Sequence, residues 1–484
     1  MSAGDTVSIL LTQVPDYLQN GDLFRTLSEE NDDTISVPTN VLKSNLHINS
    51  VEDLRNLLLS LRYWLVGEIP IEVIEYLDDG ANPIPHEVVE EFRFEFPYIG
   101  NLLSSRTLPL KRKIDKAVEY GDLRILRYFL QQTNDFSAVW CGTAASCGNL
   151  ECLRFLHELG VPWDPEVVQS AFNKGHIDCL EYVLKNGCRT LPGLCTLAAK
   201  MGNLPMLQCL HENGQPWNES TCEEAARYGH VDCLQYAHEN NCPWTHRTLI
   251  LAARYGHFHC IKYLYEQGCP WNEMTTNAAA EVASVECLVY LHEHGCPWDE
   301  STCEKAAEYG MLINLTYAHE HGCPWDESAT TAAAGNGRPK CLKYLYENGC
   351  PWNERAASAA AQLGKLSILR YLHDHACPWD ANAFRMAAGG GHIECVKYLD
   401  ANNCPWDASA CGAAAGVGSL EILKFLHENG CPWDESTVSN AAEMGSLECL
   451  KYAVENGCPK NRAQLNTEGF VTDACCIEYL WVSC

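Results

Sequence analysis

The sequence has few basic residues and lacks long hydrophobic runs. Its 34 Lys and Arg stand against 63 Asp and Glu, which gives a formal net charge of -29. Binding to phosphates requires Lys and Arg to replace counterions, so we expect neither nucleic acid nor a membrane surface as the partner. No apolar run reaches the roughly 18 residues that a membrane helix needs, and residues 1–13 do not resemble a signal peptide. We therefore expect an intracellular protein, in the cytoplasm or the nucleus.

Motifs of catalysis and of metal binding are also missing. The sequence contains no Gly-x-Ser-x-Gly, no Gly-x-x-x-x-Gly-Lys and no His-Glu-x-x-His. Its 28 cysteines include no Cys-x-x-Cys pair, which is the usual pattern of a zinc ribbon or a redox site. The cysteines follow a repeat instead, so we interpret them as reduced, small apolar residues. We expect no enzymatic activity, no cofactor and no metal.

A repeat of 27 residues fills most of the chain. Cys-Pro-Trp or a close variant recurs at multiples of this step, beginning at Val161, Gln215, Cys242, Cys269, Cys296, Cys323, Cys350, Cys377, Cys404 and Cys431. A glycine recurs at the same step, with Ala283 as the exception, at Gly121, Gly148, Gly175, Gly202, Gly229, Gly256, Gly310, Gly337, Gly364, Gly391, Gly418 and Gly445. No insertion interrupts the register. Residues 111–460 are therefore predicted to form one array, followed by a C-terminal capping half-repeat at 461–484.

One unit, residues 296–322, shows how the repeat makes structure. Asp299 or Ser301 is predicted to cap a first helix, which ends where Gly310 takes the left-handed conformation. A second helix is predicted over about residues 312–320. Helices this short cannot bury their apolar faces alone, so each pair must stack on its neighbours. The pattern predicts an all-α solenoid of stacked helix-turn-helix units.

These units resemble the ankyrin repeat. Residues 301–304 (Ser-Thr-Cys-Glu) stand where that family has Thr-Pro-Leu-His, residues 306–310 (Ala-Ala-Glu-Tyr-Gly) are similar to its Ala-Ala-x-x-Gly, and residues 295–299 resemble its Gly-Ala-Asp-Val-Asn. The family unit has about 33 residues, and the difference falls between Asp299 and Ser301, where the family places its β-hairpin finger. The resemblance implies stacked helix pairs without fingers, and a binding surface on the concave wall that the first helices form.

Two aromatic ladders recur with the repeat. Tryptophans bury about 150–250 Å² each and recur throughout, so we interpret them as packing residues between repeats, with a ligand-binding row as the alternative: Trp163, Trp217, Trp244, Trp271, Trp298, Trp325, Trp352, Trp379, Trp406 and Trp433. Histidines precede the Cys-Pro-Trp motif at His157, His211, His238, His292, His319, His373 and His427. Adjacent helices pack about 8–10 Å apart, which is too far for neighbouring histidines to share a zinc ion with bonds of about 2 Å. We predict hydrogen bonds along the second-helix face.

The two positions before the repeat glycine differ between units, which stacking alone does not explain. In chain order, the residues at these positions predict a partner site of basic and aromatic side chains, followed by two glutamates and a further tyrosine: Lys174, Lys200, Arg227, Tyr228, Arg254, Tyr255, Glu281, Glu308 and Tyr309. Arg and Tyr are frequent interface anchors. A solvated helix face with unpatterned charge is one alternative, and single-stranded nucleic acid is another, because basic residues alternate with tyrosines here.

Residues 1–110 lie outside the clean repeat. Thr34–Pro38 is predicted to be a strand and residues 69–77 a helix. The segment is either a mostly helical cap or a small docking module, similar to the F-box or BTB adaptors of ubiquitin ligases. The favoured function is a nonenzymatic scaffold, a monomeric array that binds a protein partner. The alternative is a ubiquitin-ligase adaptor that recruits its substrate through the array.

Overall fold

The computed structural model describes residues 6–10, 34–38 and 108–460, together with positions 74, 78, 476 and 479. Strands β1 (Thr6–Leu10) and β2 (Thr34–Pro38) pair antiparallel, with Thr6 opposite Pro38. The strand predicted over residues 34–38 is confirmed, and Ile74 is helical as predicted. Most of the predicted N-terminal module and of the cap at 461–484 lies outside the described residues, so the adaptor role and the domain boundaries stay predictions.

Residues 108–460 form helix pairs only, so the predicted all-α repeat fold is confirmed for this part of the chain. The first helices of the pairs are α1 (Leu110–Tyr120), α3 (Val139–Cys147), α5 (Pro165–Lys174), α7 (Leu194–Met201), α9 (Glu219–Tyr228), α11 (His246–Arg254), α13 (Glu273–Ala280), α15 (Glu300–Tyr309), α17 (Glu327–Gly335), α19 (Glu354–Gln362), α21 (Ala381–Gly389), α23 (Ala408–Val417) and α25 (Glu435–Glu443). The second helices are α2 (Leu123–Leu130), α4 (Leu150–Glu158), α6 (Ile177–Lys185), α8 (Leu204–Glu212), α10 (Val231–Glu239), α12 (Phe258–Glu266), α14 (Val285–Glu293), α16 (Leu312–Glu320), α18 (Pro339–Glu347), α20 (Leu366–Asp374), α22 (Ile393–Ala401), α24 (Leu420–Glu428) and α26 (Leu447–Glu455). Within the described ranges, none of these helices combines the length and the apolar character that crossing a membrane requires.

Helix α15 shows how a first helix begins and ends. Asp299 Oδ1 accepts a hydrogen bond from the backbone N–H of Ser301 at 3.1 Å, so Asp299 is the cap and the helix starts directly after it. Gly310 ends the helix with a φ of 78°, in the left-handed region where a side chain is disfavoured. The second helix, α16, has the bounds that the sequence predicts.

The helix pairs belong to two compact units, residues 1–194 with 205–216 and residues 195–204 with 217–484. In each unit the first helices of adjacent repeats pack on one another, as do the second helices. In the second unit, Ala306 and Ala307 of α15 and Leu315 of α16 are completely buried. Small side chains on the first helices allow close approach, and larger aliphatic side chains on the second helices fill the space behind them.

The cysteine of the Cys-Pro-Trp motif forms a hydrogen bond to the backbone of the preceding repeat. Cys323 Sγ donates to the carbonyl oxygen of Asp299 at 3.2 Å, and Cys296 Sγ does so to Asn272 at 3.5 Å. The same bond is made by Cys188, Cys242, Cys269, Cys350, Cys377, Cys404, Cys431 and Cys458. Burial raises the pKa of Cys296 to about 12, so this thiol keeps its proton at neutral pH and can donate it. These cysteines are reduced and buried, as the sequence predicts.

The repeat around Ala283 departs from the common plan. Helix α13 ends at Ala280, three residues before the position that other repeats fill with glycine. In a regular repeat, the backbone N–H groups of the glycine and of the next residue cap the helix. Here the backbone N–H groups of Glu281 and Val282 donate to the carbonyl oxygens of Ala278 and Ala279. In addition, Asn314 Nδ2 donates to the carbonyl oxygens of Ala279, Ala280 and Val282, at 3.4, 3.1 and 2.6 Å. Asn314 is completely buried, so its amide adds a side-chain donor to this helix end from inside the core.

Candidate functional site

Large side chains are exposed at the C-terminal ends of several first helices in the second unit. Met201 is 54% exposed, Tyr228 44%, Tyr255 49% and Tyr309 42%, and each stands directly before a repeat glycine. Side chains of this kind usually have most of their surface buried, so a row of exposed ones is a candidate interaction surface. The structure thus places the predicted tyrosines on an accessible face, at the C-terminal ends of the first helices.

Cations of the preceding repeat hold two of these rings. Lys200 Nζ lies 5.5 Å from the centre of the Tyr228 ring, and the guanidinium of Arg227 lies 5.8 Å from the centre of the Tyr255 ring. At exposed sites such cation–π contacts contribute about 0.5–1 kcal/mol. Both rings are therefore restrained in orientation while nearly half of their surface remains accessible to a partner.

Glutamates from the same and the following repeat pair with the arginines. Arg227 Nη1 lies 3.1 Å from Glu224 Oε1, and Arg254 Nε lies 3.2 Å from Glu281 Oε2. The sequence suggests a basic patch followed by an acidic step. In the structure Glu281 belongs to the basic patch, where it fixes Arg254. Glu224, which precedes Arg227 by less than one helical turn, is a member that sequence reasoning missed.

The remaining predicted residues do not join this group. Glu308 pairs with Lys305 of its own helix at 2.6 Å. Lys174 ends helix α5 in the first unit, where its side chain is exposed. The site that the structure brings together therefore runs over three consecutive first helices, α7, α9 and α11, with Glu281 at its border.

Two histidines that sequence reasoning missed support the backbone beneath these side chains. His257 Nε2 lies 2.9 Å from the carbonyl oxygen of Arg227, and His230 Nε2 lies 3.2 Å from that of Lys200. Each imidazole occupies the space left open by a glycine of the preceding repeat. A Cβ at Gly229 would lie 2.5 Å from His257 Nδ1. The glycine therefore provides room as well as a left-handed turn, and the recurring Gly-His dipeptide is the signal in the sequence.

The second-helix histidines form the predicted hydrogen bonds. His292 Nδ1 lies 2.9 Å from the Tyr317 hydroxyl of the next repeat, and its ring stacks on Trp298 with centroids 3.9 Å apart. The same bond joins His157 to Tyr182, His238 to Tyr263, His319 to Tyr344, His373 to Tyr398 and His427 to Tyr452. Trp298 also meets Tyr317 edge-on, which supports the prediction that the tryptophans pack between repeats. In the described part of the chain, no three His, Cys, Asp or Glu are placed to hold a metal ion.

This ladder predicts a loss of stability in acid. Burial lowers the pKa of His238 and of His292 below the ordinary value of 6.5, and the nearby His321 adds to the effect on His292. The unfolded chain then binds protons more readily than the folded one, so the free energy of unfolding falls as the pH drops through 6.5. Urea unfolding at several pH values between about 7.5 and about 5.5 measures this slope.

Tyrosine provides a matched control for the histidine ladder. Tyr265 and Tyr346 occupy the same position in other repeats and stack on Trp271 and Trp352, with centroids 4.5 and 4.6 Å apart. A variant with His238→Tyr and His292→Tyr should therefore fold and show a flatter dependence of stability on pH. If the free energy of unfolding depends on pH no more steeply in the wild type than in the variant, the histidine ladder does not cause the acid sensitivity.

The match to a protein family agrees with the helix-pair fold. Residues 195–277 and 330–410 match the family model for ankyrin repeats (3 copies). No curated protein sequence matches the chain. Among solved structures, the crystal structure of the human ASB11 ankyrin repeat domain is similar at 25% identity, over 32% of this chain and 84% of that chain, with a TM-score of 0.30. The repeats in the two matched stretches are ankyrin repeats, a repeat type found in protein-interaction domains.

Proposed function

We propose that the chain is a nonenzymatic scaffold whose protein partner binds at the tyrosine strip, defined as Lys200, Met201, Arg227, Tyr228, Arg254 and Tyr255. The observation that carries the proposal is the pair of exposed tyrosine rings held by cations of the preceding repeat. Restraint before binding reduces the side-chain entropy that an interface must overcome. Both rings thus have restrained orientations and exposed surface before a partner binds, which suits them to act as anchors at a protein interface.

The charges of the strip favour a protein over nucleic acid. Phosphate binding needs cations that are free to replace counterions, whereas Arg227 and Arg254 already pair with Glu224 and Glu281. Arg254 pairs through its Nε and keeps its other N–H donors available for a polypeptide, whereas the guanidinium of Arg227 lies over the Tyr255 ring and its Nε is buried. Lys200, by contrast, contacts the Tyr228 ring and forms no ion pair among the described residues. The strip therefore combines aromatic surface with a small surplus of positive charge.

Simultaneous replacement of Arg227, Tyr228, Arg254 and Tyr255 by alanine is expected to abolish partner capture. Truncation of a central interface anchor costs about 2 kcal/mol or more, so the loss of several weakens binding beyond what a pull-down retains. The full-length chain and the variant are used as baits in lysate of the source organism, and the captured proteins are compared by mass spectrometry.

The first unit offers a matched control for this variant. Tyr120 is 48% exposed before a repeat glycine, and Lys116 Nζ lies 5.5 Å from the centre of its ring. A variant with Lys116→Ala and Tyr120→Ala removes the same kind of contact away from the strip, and it should keep the captured proteins. Circular dichroism verifies that both variants are folded. Equal capture by the wild type and the strip variant would refute the proposed site.

A further inference from the structure

The spacing of the tyrosine strip restricts which conformation of a partner fits it. Met201, Tyr228 and Tyr255 occupy equivalent positions in three consecutive repeats, and packed helices lie about 8–10 Å apart. A polyproline II helix presents the same face every three residues, which is about 9 Å. A β-strand presents it about every 7 Å, and an α-helix about every 5 Å or, at the second turn, about 11 Å. Among regular conformations, polyproline II has the period that this helix spacing gives to the strip.

The surface chemistry of the strip agrees with this period. Met201, Tyr228 and Tyr255 each leave about half of the side chain exposed, while the carbonyl groups of Lys200 and Arg227 are occupied by His230 and His257. The strip thus offers side chains rather than free backbone groups, which disfavours an added β-strand. Proline rings pack against restrained aromatic side chains, and polyproline II lacks internal hydrogen bonds and is already ordered before it binds.

The charge of the strip selects among polyproline II segments. The strip contains three cationic side chains, Lys200, Arg227 and Arg254. Two carboxylates, those of Glu224 and Glu281, pair with the arginines, which leaves a surplus of positive charge. The whole chain carries a net charge of -29, so this local surplus opposes the sign of the protein. A segment with acidic residues is attracted to the strip, and an acidic chain is repelled by most of the remaining surface.

We propose, resting on the function proposed above, that the tyrosine strip binds a polyproline II segment with an apolar residue, foremost proline, at every third position and carboxylates between. The apolar residues pack beside Met201, Tyr228 and Tyr255 in turn. The carboxylates pair with Lys200 and with the arginine N–H groups that their glutamates leave available. Three turns of the segment cover the strip.

Binding of designed peptides to the full-length chain tests this proposal. The probe is a fluorescent peptide of repeating Pro-Pro-Glu triplets, long enough to span three repeats. Repeating Pro-Pro-Lys keeps the conformation and reverses the charge, and repeating Gly-Gly-Glu keeps the charge and loses the conformation. Fluorescence polarisation should show that Pro-Pro-Glu binds at least about tenfold more tightly than either control. Equal affinity of Pro-Pro-Glu and either control would overturn the proposal.

Variants locate the binding on the molecule. The double variant Tyr228→Ala and Tyr255→Ala should weaken the Pro-Pro-Glu peptide by about tenfold or more, as expected for the loss of two anchors. Tyr120→Ala, an equally exposed tyrosine with a lysine over its ring, should leave the affinity unchanged. An unchanged affinity in the double variant, or an equal loss in Tyr120→Ala, would place the peptide elsewhere and overturn the proposal.

A fourth probe separates this proposal from the function on which it rests. An acidic, helix-forming peptide with leucines on one face is titrated in parallel. If it binds more tightly than Pro-Pro-Glu and depends on Tyr228 and Tyr255, the polyproline II proposal fails while the strip remains a protein-binding site. If no probe depends on these tyrosines and the strip variant also keeps its captured proteins, both proposals fail.

Discussion

Replacement of Gly229 by alanine is expected to lower the free energy of unfolding by about 2–4 kcal/mol. The φ of Gly229 is 78°, which strains any residue with a side chain. The added Cβ would lie 2.5 Å from His257 Nδ1, so the imidazole must move. Its hydrogen bond to the carbonyl oxygen of Arg227 would then be lost. Strain and the lost hydrogen bond act together, and urea unfolding measures their sum.

Gly268 separates these two costs. Its φ is 75°, and a Cβ added there would meet nothing within 4 Å. Gly268→Ala should therefore show the backbone strain alone, about 1–2 kcal/mol. Equal losses of stability in Gly229→Ala and Gly268→Ala would mean that His257 gives way without cost. If Gly229→Ala also weakens partner binding and Gly268→Ala does not, the imidazole of His257 also positions the tyrosine strip.

The contrast between these glycines shows what the sequence predicts well. The positive φ of Gly310, its place at a helix end and the cap at Asp299 depend on residues within about one helical turn, and a single repeat contains that information. Repetition then confirms the pattern in every unit. The period, the bounds of the second helix and the free, buried cysteines could be predicted for the same reason, whereas the start of the first helix was left open between caps at Asp299 and Ser301. The second role of Gly229, which is to leave room for the imidazole of His257, could not be predicted in this way, because His257 belongs to the next repeat.

The candidate site shows the corresponding limit. Exposure of Tyr228 and Tyr255 was predicted from their variable position before the glycine, and the structure agrees. The partner of Arg254 was not predicted, because Glu281 stands one full repeat further along the chain and reads as the start of an acidic region. Contacts between repeats join residues about 25–30 positions apart, so the pairing of side chains across helices has to be seen in the structure.

Asn314→Cys is expected to destabilise the chain by about 2–4 kcal/mol, although the repeat consensus predicts the opposite. Cysteine fills this position in the adjacent repeats, at Cys287 and Cys341, and consensus substitutions commonly stabilise. Asn314 Nδ2, however, donates to the carbonyl oxygens of Ala280 and Val282 at 3.1 and 2.6 Å. A buried carbonyl that loses its donor costs about 1–3 kcal/mol. The thiol has a single weak donor and cannot replace the amide.

The destabilisation should depend on Ala283. In a regular repeat, Gly310 adopts a positive φ, and its N–H and that of Met311 donate to the preceding helix at 3.2 and 2.8 Å. Ala283→Gly permits the same turn, because it removes the side chain that makes a positive φ costly. In that background the cost of Asn314→Cys is expected to fall below about 1 kcal/mol, which a double-mutant cycle of urea unfolding measures.

The reciprocal variant completes the test. Cys287→Asn places an amide opposite Gly256, whose φ of 73° already provides the backbone cap. The buried amide then has no carbonyl to bind, so this variant should be destabilised by about 1–3 kcal/mol. Asparagine would thus stabilise the chain at position 314 and destabilise it at position 287. The difference lies in the residue 31 positions earlier, which is Ala283 in the first case and Gly256 in the second. A stabilising effect of cysteine at position 314 in both backgrounds would show that the amide does not stabilise the C-terminal end of helix α13.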